Sequence, residues 1–341
     1  MAIAGVGLFL ALRADGNPTV LTVGPGAYPT ISAAVSAATA GDIVRVSPGV
    51  YREQVDVGIP VSIEAAAGGP VWVDGECARE NGIRISASNV SISGVSVRRT
   101  NEAGIRVDGA DGVTVDGVVV QDYNCDEGQD QFEAGIAVWD GGARLRVTNS
   151  RIVRRAELPG NGRGFGNGIW IKNVGAGSGG GHYIAGNVII GGYDGIGGEP
   201  EDSVYGGFYR DSTIEGNTIE GCWDDGIQVE GGNIDVTVRD NSISGCGIGI
   251  ALAPTLQGPL RIERNQIRDL VPGFYGQQAA FKLGDYSAGE VYVTENVIVT
   301  GGDGFKQSND GSVGTIISRR NIVSVSRRVI ELGVIPAGSD F

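Results

Sequence analysis

Apolar and polar residues alternate in short bursts along this chain, and the bursts share one opening: a small residue, Gly, then an apolar residue at every second position. The phrase reads Asn81-Gly82-Ile83-Arg84-Ile85, Ala103-Gly104-Ile105-Arg106-Val107, Ala134-Gly135-Ile136-Ala137-Val138 and Asn167-Gly168-Ile169-Trp170-Ile171. It returns at Asp194-Gly195-Ile196, Asp225-Gly226-Ile227-Gln228-Val229 and Cys246-Gly247-Ile248-Gly249-Ile250. Looser copies follow at Phe281-Lys282-Leu283, Gly304-Phe305-Lys306 and Val329-Ile330-Glu331-Leu332. Alternation with a period of two predicts strands with one buried face. Self-similarity at this spacing predicts a repeat architecture.

Each repeat has an internal order. A turn follows the Gly-Ile strand, then a second alternating stretch such as Ile234-Asp235-Val236-Thr237-Val238, one bend residue and a third short strand. The bend residue is Gly94, Gly117 and Ser150 early on, then Asn187, Asn217, Asn241, Asn265, Asn296 and Asn321. Gly and Asn tolerate a left-handed backbone, so these positions are expected to carry it. Stacked Asn side chains are expected to hydrogen-bond in a ladder. Three short strands cannot bury an apolar face alone, but winding the chain so that each strand pairs in parallel with its next copy solves this. The tightest spacings, 21 residues from Ile227 to Ile248 and 24 from Phe281 to Phe305, fit one coil. Parallel crossovers are right-handed. The expected fold is all-β, a single-stranded right-handed parallel β-helix of about ten coils.

The segment from Thr30 to Ala38 breaks the period. Ile31, Ala34, Val35 and Ala38 share one helical stripe and Gly41 follows as a stop, which predicts an amphipathic helix capping the first coil. No comparable helix follows the last coil. Residues 17–341 are read as one β-helix domain. Residues 1–16 hold an apolar run from Ala2 to Leu12, 11 residues and too short to span a bilayer, read as the remnant of an export signal or anchor. The stretch from Tyr28-Pro29-Thr30-Ile31 through Gly41-Asp42-Ile43-Val44-Arg45-Val46 to Val50-Tyr51-Arg52-Glu53 resembles the opening of right-handed parallel β-helix proteins of the pectate-lyase-like superfamily. The Gly-Ile and Asn-x-Ile repeats resemble that superfamily's body, so the likeness covers residues 22–333. It implies fold strongly and chemistry weakly, because the superfamily includes lyases, hydrolases, esterases, epimerases and non-enzymatic proteins.

Insertions locate a working face. They cluster beside the Gly-Ile strands, at 121–132, 154–166 and 271–278 before them and at 173–181 and 199–209 after them. The strands are then the floor of a groove and the insertions its walls. With Ile and Val inward, the outward residues are Arg84, Arg106, Trp139, Trp170, Lys172, Glu199, Gln228, Glu230, Lys282, Lys306 and Glu331. All three lysines of the chain fall in this set. Trp and charged side chains along an open groove suit a sugar polymer, with aromatic faces on pyranose rings and charges on carboxylates. Trp139, Trp170, Lys172, Gln228, Arg106 and Arg210 are the expected substrate contacts.

The formal net charge of −14 disfavours nucleic acid or an anionic membrane surface as partner. Lys282 and Lys306 occupy equivalent places on neighbouring coils, and like charges that close would lower a lysine pKa toward the range of a base. A neighbouring Asp285, Asp303 or Asp310 would cancel that. The segment Trp223-Asp224-Asp225-Gly226-Ile227-Gln228-Val229-Glu230, with Asp194, Glu199, Glu201 and Asp202 one coil earlier, clusters carboxylates of the kind that hold Ca²⁺. Asp224, Asp225, Glu230 and Glu199 are the expected ligands. Asp194, Asp225 and Asp303 each precede a Gly at a strand entrance, where Asp also favours turns. Cys222 and Cys246 sit at equivalent places in adjacent repeats, which a disulfide and a ladder of buried thiols explain equally. The lone His182 lies outside the groove strands and reads as structural.

Three functions fit. The first is a lyase that cleaves a uronic-acid polymer by β-elimination. Related β-helix lyases use Lys or Arg as base, and the resemblance implies Lys282 as that base, with Asp225 and Lys306 beside it and Ca²⁺ or Arg stabilising the charge. The second is a glycoside hydrolase: Asp194 with Asp224 or Asp225 is similar in layout to polygalacturonase-type enzymes, and Lys282 falls where those have a basic pair. Their Gly-His-Gly segment is here Gly245-Cys246-Gly247. The third is a non-catalytic carbohydrate-binding β-helix. An acidic polysaccharide partner, a monomeric state and a secreted, periplasmic or cell-surface location complete the expectation.

Overall fold

The computed structural model describes residues 17–125, 133–154, 165–172, 179–308, 311–333, 335 and 337–341. The apolar run at 2–12 and the insertions at 126–132, 155–164 and 173–178 lie outside the described residues. Three parallel sheets of 12, 11 and 11 strands form the walls of one right-handed coil. One sheet collects the Gly-Ile strands, from Val55–Val57 to Ile330–Glu331. Partners in it are equivalent residues of successive coils: Ile105 faces Ile136, Ile136 faces Ile169, and Ile169 faces Ile196, whereas Ile227 faces Ile250 and not the expected Ile248, a two-residue offset that keeps the same face inward. Inward Val and Ile stack in columns with almost no exposure. Each such side chain contributes about 1.5–3 kcal/mol on full burial.

The Gly of the repeated phrase has a steric cause. A Cβ on Gly168 would fall 2.3 Å from the Gly195 carbonyl oxygen and 2.5 Å from the Ile189 side chain. Gly195 repeats the pattern against Gly226 O and Ile219, and Gly226 against Gly249 O and Ile243. These glycines let one coil seat on the next at the corner leading into the groove sheet.

The left-handed bend is only partly where the pattern places it. Gly94 (φ 66°) and Gly117 (φ 62°) carry it as expected. From the next coil on it sits one residue before the expected position, at Asn149, Gly186, Gly216, Asp240, Arg264, Glu295 and Arg320. The following residue has a different task. Nδ2 of Asn187 donates to Asn217 Oδ1 at 3.0 Å, and the ladder continues through Asn241, Asn265, Asn296 and Asn321 at 2.9–3.0 Å. Ser150 enters it by donating its backbone N–H to Asn187 Oδ1. The amides are buried and fully committed, and losing one would strand its neighbours at about 1–3 kcal/mol.

The helix Ile31–Ala37 closes the first coil, burying Ile31, Ala34 and Val35. Thr30 caps it by accepting the Ala33 N–H, and the Glu53 carboxylate accepts those of Ile31 and Ser32. At the other end the tail folds back: Asp340 bridges Ile317, and Phe341 packs edge-on against Phe305 at 5.3 Å. Two disulfides cross-link the coils: Cys222–Cys246 joins neighbours, and Cys77–Cys125 spans two coils. Cys246 is thus a buried cross-link. His182 is buried, and burial lowers its pKa to about 4, so it is a neutral structural residue.

Candidate active site

The outward residues of the groove sheet fall into two rows. The first runs Arg84, Arg106, Ala137, Trp170, Gly197 and then Gln228, Ala251, Lys282, Lys306, Glu331. The second contains Asp108 beside Trp139 and Lys172 beside Glu199. The three lysines therefore share one side of the body, as the alternation requires. Arg210 does not join them: it bridges Ile234 at the entrance to a different sheet and pairs with Asp211 at 2.8 Å.

The first half of the trench is occupied by its own side chains. Arg84 and Arg106 both grip Asp108, at 2.6 and 2.8 Å, and Lys172 meets Glu199 at 2.5 Å. Arg106 and Lys172 each lie over the Trp139 ring, 4.8 and 4.6 Å from its centroid. Trp170 is 4% exposed and lies across Gly197, where a Cβ would come within 2.6 Å of its ring. Neither Trp is an open stacking platform: Trp139 lies under two cations, and Trp170 packs down over the bare Gly197.

The second half concentrates acid. Asp194 and Asp225 stand at the openings of adjacent strands, and the Asp225 backbone N–H donates to Asp194 Oδ1 at 2.8 Å. One oxygen each of Asp194, Asp224 and Asp225 lies within 4.8 Å of the others. Lys282, two coils beyond Asp225, leans back over Ala251 to reach Asp225 Oδ2 at 3.2 Å and Glu230 Oε1 at 3.0 Å. Gln228 donates to Glu230 at 2.7 Å and to Glu201 at 2.8 Å. Five carboxylates thus surround one ammonium.

Burial, then the neighbouring negative charges, push these acids up: Asp194 well above its ordinary value, Asp224 to about 7 and Glu230 to about 8. Asp225 is raised by burial, with Lys282 working against it. Burial acts to lower the Lys282 pKa, but Asp225, Glu230 and Asp224 overcome it and hold the ammonium well above the ordinary lysine value. The mutual lowering expected from Lys306 is therefore not realised. Lys306 meets Asp303 and Glu331 instead, at 3.9 and 4.0 Å, outside the carboxylate group. The expected Ca²⁺ set also differs: Glu199 and Glu230 turn to lysines, and the three carboxylates close enough to share a cation are Asp194, Asp224 and Asp225.

A cavity of about 180 Å³ opens onto this cluster, lined by Asp194, Asp224, Asp225, Gln228, Tyr193 and Tyr275 among others. Two aromatic residues of its rim, Tyr193 and Tyr275, escaped the strand-based reading. Phe274 and Tyr275 sit on the insertion at 271–278, whose length is the signal that could have found them. Phe274 packs on Trp223 at 4.6 Å and Tyr193 at 5.5 Å, so the wall is aromatic through its depth.

Comparison with known proteins places the fold. Residues 81–323 match the family model described as "Right handed beta helix region". No curated protein matches the sequence. Among solved structures, an alginate lyase from Paenibacillus sp. str. FPU-7 is similar at 15% identity and TM-score 0.58, over 89% of this chain and 95% of that one. The catalytic domain of a GH87 α-1,3-glucanase in complex with nigerose is similar at 12% identity and TM-score 0.56, over 96% and 70%. A polygalacturonase from Erwinia carotovora ssp. carotovora is similar at 12% and 0.53, over 93% and 96%. At these identities the likeness is one of fold, and the family match spans most of the coil. The chain belongs to the right-handed β-helix family.

Proposed function

We propose that this protein is a glycoside hydrolase that cuts a polysaccharide lying in the trench, with Asp224 as general acid and Asp225 as its ionised partner. The observation that carries the reading is the meeting of three carboxylates from adjacent coils within 4.8 Å, one of them with a pKa of about 7, beside a lysine held protonated. Glycosidic cleavage needs one carboxyl that still holds a proton and another that is ionised. Asp224 meets the first need near neutral pH. Lys282 supports the second by hydrogen-bonding Asp225. Burial and the neighbouring Asp225 charge raise the Asp224 pKa, and both aspartates raise that of the buried Asp194. β-Elimination by Lys282 would require its ammonium to lose a proton while bound to two carboxylates, so the geometry favours hydrolysis over the lyase reading.

Asp194, Asp224 and Asp225 are also the residues that would hold Ca²⁺, and Asp225 Oδ1 is buried with no hydrogen-bond partner. When bound there, the ion would supply positive charge to the developing transition state. Lys282 already supplies such charge, so hydrolysis is expected to need no added cation. Two disulfides suit an oxidising, extracytoplasmic compartment. Among the described residues no helix is long and apolar enough to cross a membrane.

The test is an assay of soluble polysaccharides with Ca²⁺ and with chelator. New reducing ends without ultraviolet absorbance, retained within about twofold after chelation, are expected. An unsaturated, absorbing product that disappears with chelator would replace hydrolysis by elimination.

A further inference from the structure

We propose that the trench is built for an uncharged glycan, one ring of which stacks on Tyr275 while its hydroxyls donate to Gln228. This rests on the hydrolase reading and names the class of its substrate. Three observations carry it. The first is the fate of the cations. Arg84, Arg106, Lys172, Lys282 and Lys306 all have carboxylate partners at 4.0 Å or less, and at Lys282 the carboxylates outnumber the ammonium. Among the described residues of the trench a polyuronate would find no spare positive charge to pair with.

The second is the polarity of the groups left unpartnered. The Gln228 amide has its orientation fixed by two carboxylates accepting from Nε2, which leaves Oε1 buried without a partner in a cavity of about 180 Å³. Asp225 Oδ1 is likewise buried and unpartnered. Both are acceptors, and acceptors call for a donor such as a sugar hydroxyl. A carboxylate ligand would bring an acceptor to face them.

The third is Tyr275 itself. It is 65% exposed, yet it stands on a braced loop. Gly273 donates to Gln277 O at 2.8 Å, Phe274 donates to Trp223 O at 2.8 Å, and the Phe274 ring meets Tyr275 at 4.9 Å. The ring edges two openings onto the acids, the second of about 270 Å³ with Asp224, Lys282, Gln277 and Ser308. An exposed aromatic face fixed beside the cleavage carboxylates is a platform for the apolar face of a pyranose.

Affinity electrophoresis tests this with wild type, Tyr275→Ala and Tyr275→Phe in gels containing a soluble α-glucan, a soluble β-glucan, a galactan, polygalacturonate or alginate, each with and without Ca²⁺. Wild type should be retarded in a neutral gel and run freely in both polyuronates. Tyr275→Ala, with unchanged circular dichroism, should bind that neutral glycan about fivefold more weakly, and Tyr275→Phe within about twofold of wild type. Retardation by a polyuronate, absence of retardation in every neutral gel, or full binding by Tyr275→Ala overturns the proposal. Reducing ends released from each polymer separate the two readings. A polyuronate that is bound and hydrolysed sinks this inference and keeps the hydrolase, whereas a neutral glycan bound through Tyr275 but never cut does the reverse.

Discussion

The two halves of the trench are made of the same strands and hold opposite charge economies. Around Trp139 the cations Arg84, Arg106 and Lys172 meet Asp108, Glu102 and Glu199, and charge closes on itself. Around Lys282 the carboxylates Asp194, Asp224, Asp225, Glu201 and Glu230 outnumber the ammonium and must keep protons to coexist. Balanced pairs hold a shape and titrate little. An unbalanced, desolvated cluster stores a proton near neutral pH, which is what acid catalysis requires. Charged residues along a groove are thus weak evidence of chemistry until their compensation is known.

The contrast breaks most sharply by neutralising one acid in each half. Asp225→Asn should lower hydrolysis at least about a thousandfold, whereas Asp108→Asn, which leaves Arg84 and Arg106 without their shared partner, should cost little activity and some thermal stability. Comparable losses in both would mean that the cluster is not the reacting centre. Next in size is Ala251→Leu, which fills the gap Lys282 crosses. Activity should fall about a hundredfold, and with the ammonium displaced the alkaline limb of the pH profile should move upward. An unshifted limb would show that Lys282 does not set the proton affinity of the acids.

A third expectation concerns stability. Asp224 and Glu230 titrate near 3.8 and 4.5 when unfolded and at about 7 and 8 when folded. The folded state therefore binds more protons between these values, so this contribution is complete below the unfolded pKa and lost as pH rises through the folded one. Tm should fall from about pH 5 to 9, and Asp224→Asn with Glu230→Gln should flatten the fall. A Tm that climbs over that range would contradict the assigned protonation. The smallest effect belongs to Trp139→Ala, expected to weaken turnover only about two- to threefold. A larger loss at saturating substrate would give the balanced half a direct part in the reaction.

Much of the architecture was legible because each coil restates it. The Gly-Ile phrase, the Asn ladder and the capping helix at Ile31–Ala37 all depend on local periods that survive in one sequence. The bend was displaced by one residue in the later coils because the Asn side chain serves the ladder while its predecessor turns the chain. The site was harder to read. Asp before Gly favours turns as well as chemistry, and Asp194 does accept a backbone N–H of the next coil while standing in the acidic cluster, so one residue has both places. Lys282 was paired with its neighbour Lys306, whereas its partners lie two coils back across the small Ala251. Tyr275 belongs to no repeat, and only the length of its insertion marked it. Contacts along the coil axis are periodic and readable; contacts that skip a coil or come from an insertion depend on which side chain happens to be small.

The acids and the aromatic wall hang from different parts of the molecule. Asp224, Asp225 and Lys282 are carried at or within the stacked strands, while Phe274 and Tyr275 ride an insertion between them. Selectivity and reactivity are therefore separable by transplant: exchanging the segment 271–278 should retarget the protein to another sugar and leave its cutting machinery in register.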